Sequence, residues 1–167
     1  AIALTDHGNL MGAFHFIKAI SNYNSNVSDS KKIKPIVGCE FYVCDDHRDK
    51  TRRNDGYQII FLAKNKKGYH NLAKLTSLSY VDGFYYVPRI DKKLVELYKQ
   101  HLIVLTGNMY GEIPSKILNL GDSQAEEALH WWHSRFGDDL YIELMRHGEE
   151  GEDRANEQLI YFSKKYN

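Results

Sequence analysis

Short apolar runs alternate along this chain with segments of helical periodicity, and this alternation is the feature that most constrains its fold. The runs predict strands at residues 2–5, 35–44, 57–63, 102–106 and 140–144. Helical spacing predicts helices at residues 10–20, near 69–78, 91–101, 113–120, 123–136 and 153–166. Polar loops are expected at residues 21–34 and 45–56. Strands that alternate with helices favour an α/β fold with a parallel sheet.

The length and composition of the chain predict one ordinary globular domain, which comprises residues 1–167. The chain has 43% hydrophobic and 26% charged residues, which are usual values for such a domain. No apolar run approaches the roughly 20 residues needed to span a bilayer, and residues 1–8 do not resemble a signal peptide. Cys39 and Cys44 are too few for a disulfide framework, so we expect buried, reduced thiols and a cytoplasmic location.

The balance of positive and negative charges argues against a protein surface that binds nucleic acid over most of its area. The 22 basic residues are matched by 22 acidic ones, whereas phosphate contacts require a basic excess. Basic runs at residues 31–34, 48–53 and 64–67 could touch DNA or a neighbouring subunit. Solvated surface is the simpler interpretation of such runs.

Polar side chains occur where the predicted strands end, and in parallel α/β folds such ends gather the functional groups. Asp6 and His7 follow the first strand, Glu40 lies in the second, Gln58 in the third, and Asn108 follows the fourth. Imidazole and carboxylate groups are ligands for Zn²⁺ or Mn²⁺, and such an ion activates water for phosphoester hydrolysis. A polar pair that hydrogen-bonds across the end of the sheet remains the alternative for His7 and Glu40.

Several ordered motifs carry a family resemblance that covers essentially the whole chain. In order they read ALTDHGNLMGAFHF, IKPIVGCEFYV, FLAKNKKGYHNLAKLTSLSYVDG, PRID, LIVLTGNMYGEIP and WWHSRFGDDLYIELMRHG. Their order and spacing resemble the PHP domain (a polymerase-and-histidinol-phosphatase type of metal-hydrolase fold) of bacterial DNA polymerase III alpha subunits. The resemblance implies a distorted (β/α)7 barrel with metal ligands at one mouth. We expect a partial barrel, truncated at both ends, because residue 1 already lies in a strand and such barrels need about 200 or more residues.

The resemblance also assigns roles to single residues. His7 matches the ligand histidine of the family's TDHG motif, and Glu40 matches the ligand glutamate of its GxE motif. Asp6 would orient that histidine from the second shell. Gln58 stands where the family has a histidine, and Asn108 where it has a cysteine. Neutral amides bind zinc-like ions poorly, so we expect a degraded metal site, with no certain cofactor and with zinc or manganese if the site survives.

The functional expectation follows from the resemblance. The chain is expected to be the amino-terminal PHP domain of a replicative DNA-directed DNA polymerase, a nucleotidyltransferase, and to be inactive as a fragment. Its role would be structural, with docking to other domains, to an exonuclease subunit or to replisome proteins, and with DNA held through the parent protein. The alternatives are a metal-dependent 3′–5′ exonuclease used in proofreading, a PHP-type phosphoesterase, and a pure protein-interaction module.

The other histidines and the tryptophan pair receive structural interpretations. His147 follows a predicted strand but matches no family ligand, so we expect a loop histidine. Three more histidines lie in amphipathic helices and are expected at the surface or half-buried; they are His70, His130 and His133. Trp131 and Trp132 are adjacent in a helix, so only one of them can face the core.

Overall fold

The computed structural model describes residues 1–166 of the chain. Its strands are β1 (Ile2–His7), β2 (Pro35–Cys44), β3 (Tyr57–Ala63), β4 (Arg89–Asp91), β5 (Leu102–Leu105) and β6 (Leu140–Tyr141). Its helices are α1 (Ala13–Ser25), α2 (Lys66–Val81), α3 (Lys92–Tyr98), α4 (Glu112–Asn119), α5 (Asp122–Phe136) and α6 (Glu152–Tyr166). The chain is therefore mixed α/β, as its periodicity predicts.

One mixed sheet of six strands organises the fold, in the order β1-β2-β3-β5-β6, and β4 pairs with β2. β1 and β4 run parallel to β2 and follow one another along the same edge of it. β3 is antiparallel to both of its neighbours, β2 and β5. The expectation of an all-parallel sheet was therefore wrong at β3. Within residues 1–166, β1 and β6 do not pair, so the sheet is not closed.

Several predicted boundaries differ from the structure. β1 extends through Asp6 to His7, and α1, α2 and α3 begin and end at other residues than predicted. The expected loop at residues 21–34 begins later, because α1 continues to Ser25. Asn24 stabilises the segment that follows the helix, since its side-chain amide donates to the carbonyl of Ile33 and accepts from the Ile33 amide, both at 2.8 Å. β4 was not predicted, and β6 ends at Tyr141 rather than near residue 144.

The hydrophobic core lies on one face of the sheet. Strand alternation turns Cys39 and Phe41 of β2 to that face, beside Ile59 and Phe61 of β3. Helices α2, α4, α5 and α6 supply the covering side chains, among which are Leu72, Leu75, Ile117, Trp132, Phe136 and Phe162. The opposite face of the sheet presents the polar residues of the candidate site.

Smaller predictions about the core are confirmed. Cys39 and Cys44 are buried and free, and burial raises the pKa of Cys39 to about 12. Trp132 is buried while Trp131 is only half-buried.

No helix among the described residues is both long enough and apolar enough to cross a membrane.

A buried carboxylate anchors α4 against the neighbouring helices. Glu112 is only 3% exposed and accepts hydrogen bonds from Lys92 Nζ at 2.8 Å, Lys116 Nζ at 2.9 Å and Trp132 Nε1 at 2.8 Å. Burial alone would raise the pKa of Glu112, but the two ammonium groups lower it overall. The carboxylate is therefore ionised at neutral pH and ties α4 to α5 and to the start of α3.

Candidate functional site

Strand register brings three of the predicted site residues to one face of the sheet. His7 is the register partner of Glu40 across β1 and β2. Gln58 is the partner of Tyr42, which lies two residues beyond Glu40 on β2. Paired residues share a face, and so do residues two apart on one strand. His7, Glu40, Tyr42 and Gln58 therefore lie together on the face opposite the hydrophobic core.

His7 and Glu40 form the predicted pair at the end of β1. His7 Nδ1 lies 3.5 Å from Glu40 Oε1, with the carboxylate side chain 9% exposed and the imidazole 60% exposed. The same nitrogen lies 3.5 Å from the hydroxyl of Tyr42. Gly8 follows His7 with a φ of 65°, a left-handed conformation that favours glycine, and its amide donates to the Glu40 carbonyl. The turn after β1 thus holds His7 over Glu40.

Glu40 carries a buried oxygen without a hydrogen bond. Among the described residues, Oε1 has no hydrogen-bond partner. Burial raises the pKa of Glu40, although the proximity of His7 opposes this change. A buried polar atom that lacks a partner costs about 1–3 kcal/mol. This oxygen therefore fits a proton or a cation, and together with His7 it fits two positions of a metal shell.

Gln58 and Asn108 bond to one another rather than to His7 or Glu40. Asn108 Nδ2 donates to Gln58 Oε1 at 3.0 Å. Gly107 makes this contact possible, because its φ is +80° and an added Cβ would lie 2.4 Å from the Gln58 carbonyl oxygen. The two positions that the resemblance equates with ligands are thus occupied by a pair of amides that hydrogen-bond to each other. This pair does not fit a zinc-like ion.

Asp6 lies on the other face of β1. Its register partner is Cys39, and its Oδ2 accepts a hydrogen bond from the amide of Gly12 at 2.8 Å. The carboxylate therefore fixes the turn that leads into α1. Its predicted second-shell role toward His7 stays a prediction.

Glu143 is a site residue that sequence reasoning missed. Its amide donates to Thr106 Oγ1 at 2.9 Å, just after β6. Burial raises the pKa of Glu143, and the charge of Glu40 raises it further. Its Oε2 is buried without a hydrogen-bond partner within residues 1–166. A lone carboxylate in the apolar run LYIEL was the signal that could have found it.

Four further histidines, which receive structural interpretations from the sequence, lie outside the candidate site. His147 Nδ1 lies 3.1 Å from Glu152 Oε1, and the His147 amide donates to Glu152 Oε2 at 2.7 Å. Glu152 thereby joins the loop to the start of α6, which agrees with the expected loop role of His147. His70 and His130 are exposed and His133 is half-buried.

A cavity of about 680 Å³ lies at a different end of the sheet from these residues. It is lined by the beginning of β2, the end of β3 and one side of α1, and it includes Phe14, Ile17 and Tyr69. Phe14 is 71% exposed. Lys34, Lys64 and Lys66 also line it. The cavity is an apolar groove with basic residues rather than a catalytic cleft, because the carboxylates and His7 lie elsewhere.

The amino-acid sequence of the chain is similar to a known domain family and to several named proteins. A family model described as the PHP domain matches residues 1–147. The DNA polymerase III subunit alpha of Borreliella burgdorferi is 43% identical over 98% of this chain and 14% of its own length. The subunits of the same name from Treponema pallidum and Thermus aquaticus are 39% and 38% identical, over 96% and 99% of this chain. Each of these two is matched over 13% of its own length.

Proposed function

The chain belongs to the PHP domain family, and we propose that it is the amino-terminal PHP domain of a replicative DNA-directed DNA polymerase in the cytoplasm. The identity of 38–43% to DNA polymerase III alpha subunits, along nearly all of this chain, supports the proposal. The chain spans only 13–14% of those relatives. Nucleotide addition would therefore belong to other parts of the parent protein, and residues 1–167 would form one domain of it.

We propose further that the open sheet is part of a distorted (β/α)7 barrel. β1 and β6 are the ends of the strand order within the described residues, so further strands could join between them. The site face would then line the inside of the barrel and the core helices its outside. This arrangement agrees with the burial of the helix-facing residues and with the position of Glu40 and Gln58 on the opposite face.

The proposed role of the domain is structural, with a degraded metal site. The hydrogen bond between Asn108 and Gln58, at 3.0 Å, is the observation that carries this proposal. The two positions that the resemblance equates with ligands therefore hold amides that hydrogen-bond to each other. Such a pair supplies neither the thiolate nor the imidazole that binds zinc-like ions tightly.

A nuclease assay tests this proposal. The full-length protein is incubated with a 3′-labelled single strand in the presence of Zn²⁺ or Mn²⁺ and without nucleotides. We expect no release of the terminal nucleotide that depends on His7, so the wild type and His7→Ala give the same background. Metal-dependent release that disappears in His7→Ala would overturn the structural role.

The alternative is a residual metal-dependent 3′–5′ exonuclease or phosphoesterase, and one observation favours it. Among residues 1–166, Glu40 Oε1 and Glu143 Oε2 are both buried without hydrogen bonds, and Glu40 Oε1 lies 3.5 Å from His7 Nδ1. In that case His7 and Glu40 would hold the ion, which would activate a water molecule for attack on a phosphoester. The same assay distinguishes the two functions.

Docking to other parts of the same polymerase is the proposed use of the apolar groove. Phe14 and Ile17 are exposed there, at 71% and 40%. Exposed apolar surface of this kind marks interaction sites, and most of the relatives' length lies outside this chain. An exonuclease subunit or another replisome protein would be an additional partner elsewhere on the surface.

A further inference from the structure

The apolar groove beside Phe14 occupies a part of the sheet's core face that no helix among the described residues covers. Its floor includes Pro35 and Val37 at the start of β2 and Ala63 at the end of β3, all three only half-buried. Val37 lies two residues before Cys39, so its side chain is on the same face of the sheet as the hydrophobic core. Helices α1 and α2 lie on either side of the groove. The core face therefore stays partly open between these two helices.

The walls of the groove carry large apolar side chains from both helices. Phe14 and Ile17 are three positions apart on α1, so they project from one face of that helix. Tyr69 lines the groove from α2. All three side chains are exposed within residues 1–166. Such a surface gains free energy when another element covers it and excludes water, so the groove fits an apolar segment that lies between α1 and α2.

The segment that fits this position is a helix rather than a strand. β2 lies between β1 and β3, and β3 lies between β2 and β5, so the strands of the floor already have neighbours on both sides. A strand that entered the groove would leave most of its own N–H and C=O groups without partners, which is costly in an apolar place. A helix pairs these groups internally and presents its apolar side chains along one stripe, as amphipathic helices do in apolar grooves.

Lysines at the rim indicate the charge of the occupant. Lys34 and Lys66 line the groove and are exposed, and neither forms an ion pair with a carboxylate of residues 1–166. The third lysine of the rim, Lys64, is already paired with Asp139 at 2.7 Å. The described residues that line the groove include no aspartate or glutamate. The rim is therefore basic and complements acidic side chains on the flanks of an incoming helix.

We propose that the groove binds an amphipathic helix of the same polymerase chain, from outside residues 1–167, with acidic residues beside its apolar stripe. This inference rests on the proposed function, in which the groove docks other parts of the polymerase, and it names the kind of segment that docks. The matched relatives are about seven times longer than this chain, which spans 13–14% of their length. The apolar stripe of the helix packs against Phe14 and Ile17, and its carboxylates pair with Lys34 and Lys66.

A photocrosslinker in the groove identifies the occupant. p-Benzoylphenylalanine replaces Phe14 in the full-length protein, and mass spectrometry locates the adducts after irradiation and digestion. We expect an adduct within the same chain, outside residues 1–167, in a segment with apolar residues at helical spacing and aspartate or glutamate beside them. A mixture of unlabelled and isotope-labelled protein distinguishes adducts within one chain from those between two chains. The matched control places the crosslinker at Leu97, which is equally exposed but outside the groove, and should not capture this segment.

Charge reversal at the rim tests the acidic character of the helix. Lys34→Glu with Lys66→Glu should lower the yield of the adduct about threefold or more, because contacts between like charges replace two ion pairs. Lys74→Glu with Lys93→Glu changes the net charge equally at exposed positions outside the groove. This control pair should leave the yield unchanged.

The remaining outcomes would overturn the inference. An adduct between two chains would make the occupant a second copy of the protein. An adduct in a segment without helical apolar spacing, or equal yields in the two lysine pairs, would refute an acidic helix and leave docking within the polymerase intact. The absence of any adduct specific to position 14 would refute docking in the groove as well. The nuclease assay tests the metal site independently of all these results.

Discussion

Asn108 Nδ2 donates a hydrogen bond to Gln58 Oε1 at 3.0 Å, between residues 50 positions apart. The contact joins the start of β3 to the turn after β5. It closes the polar face of the sheet beside Glu40 with two neutral side chains. The Glu40 carboxylate and the His7 imidazole therefore lack the histidine and cysteine ligands that the family resemblance would require beside them.

Restoring the missing ligand types should restore metal binding. In Gln58→His with Asn108→Cys, an imidazole and a thiolate replace the amide pair. We expect the full-length double variant to bind Zn²⁺ about tenfold or more tightly than the wild type at this site. Isothermal titration calorimetry of the two proteins measures the change in affinity. Gln124→His with Asn119→Cys, at exposed positions of α5 and α4, should give no such gain, and an equal gain in both would contradict the site assignment.

The Glu112 network should contribute measurably to stability. Glu112→Gln removes the negative charge between Lys92 and Lys116 but keeps an acceptor for Trp132. We expect the free energy of unfolding to fall by about 2 kcal/mol, since charged hydrogen bonds are each worth about 1.5–3 kcal/mol and both lysines remain partly hydrated. Urea denaturation measures the change. Glu157→Gln on the exposed side of α6 is the control and should be nearly neutral.

The same carboxylate predicts a direction for the pH dependence. The pKa of Glu112 is lower in the folded protein than its ordinary value. Its contribution to stability is therefore present above the ordinary glutamate pKa, and it is lost as the pH falls through the lower folded value. Wild type should lose more stability than Glu112→Gln on acidification from neutral pH. Parallel curves for the two proteins would contradict this.

Arg89 should hold the loop between β2 and β3 in place. Its guanidinium donates to the carbonyls of Asn54 and Asp49 in that loop at 3.0 Å and 2.9 Å. Arg89→Lys cannot form this fork, so we expect faster amide hydrogen exchange over residues 45–56 and faster cleavage there by trypsin. Arg48→Lys, at an exposed position, is the control. Unchanged exchange in Arg89→Lys would show that other contacts fix the loop.

A charge placed in the apolar groove should weaken its contact with the rest of the polymerase. Phe14 and Leu97 are both 71% exposed, but only Phe14 lines the groove. We expect Phe14→Glu to lower the melting temperature of the full-length protein and to expose the domain to proteolysis, because a charge cannot be buried at an apolar contact without cost. Leu97→Glu should have little effect. Equal effects of the two substitutions would refute groove docking.

Strand positions were predictable where apolar runs have sharp polar ends. Residues 35–44 and 57–63 form β2 and β3 with the predicted bounds. Asp91 caps α3 by accepting from the Leu94 amide. β4 could not be predicted, because it has only three residues, with a charged residue at each end, and so shows no periodic pattern. The direction of β3 could not be predicted either, since the spacing of apolar residues is the same in parallel and antiparallel strand pairs.

The candidate site was predictable in its members but not in its contacts. His7 and Glu40 lie together, and register alone would place them so once β1 and β2 are known to be parallel. The Asp6 side chain lies on the opposite face because successive side chains along β1 alternate between the two faces of the sheet. The bond between Gln58 and Asn108 depends on the turn at Gly107, and the proximity of Glu143 to Glu40 depends on the Thr106 bond after β6. Both are long-range consequences of packing that no local pattern contains.

Metal content that depends on Glu40 tests the central claim most directly. Inductively coupled plasma mass spectrometry is applied to the full-length wild type and to Glu40→Gln, after exposure to zinc or manganese and removal of the excess. A degraded site predicts the same metal content in both proteins, whatever binds elsewhere in the chain. One equivalent of metal that is present in the wild type and lost in Glu40→Gln would contradict the account and support a working hydrolytic centre.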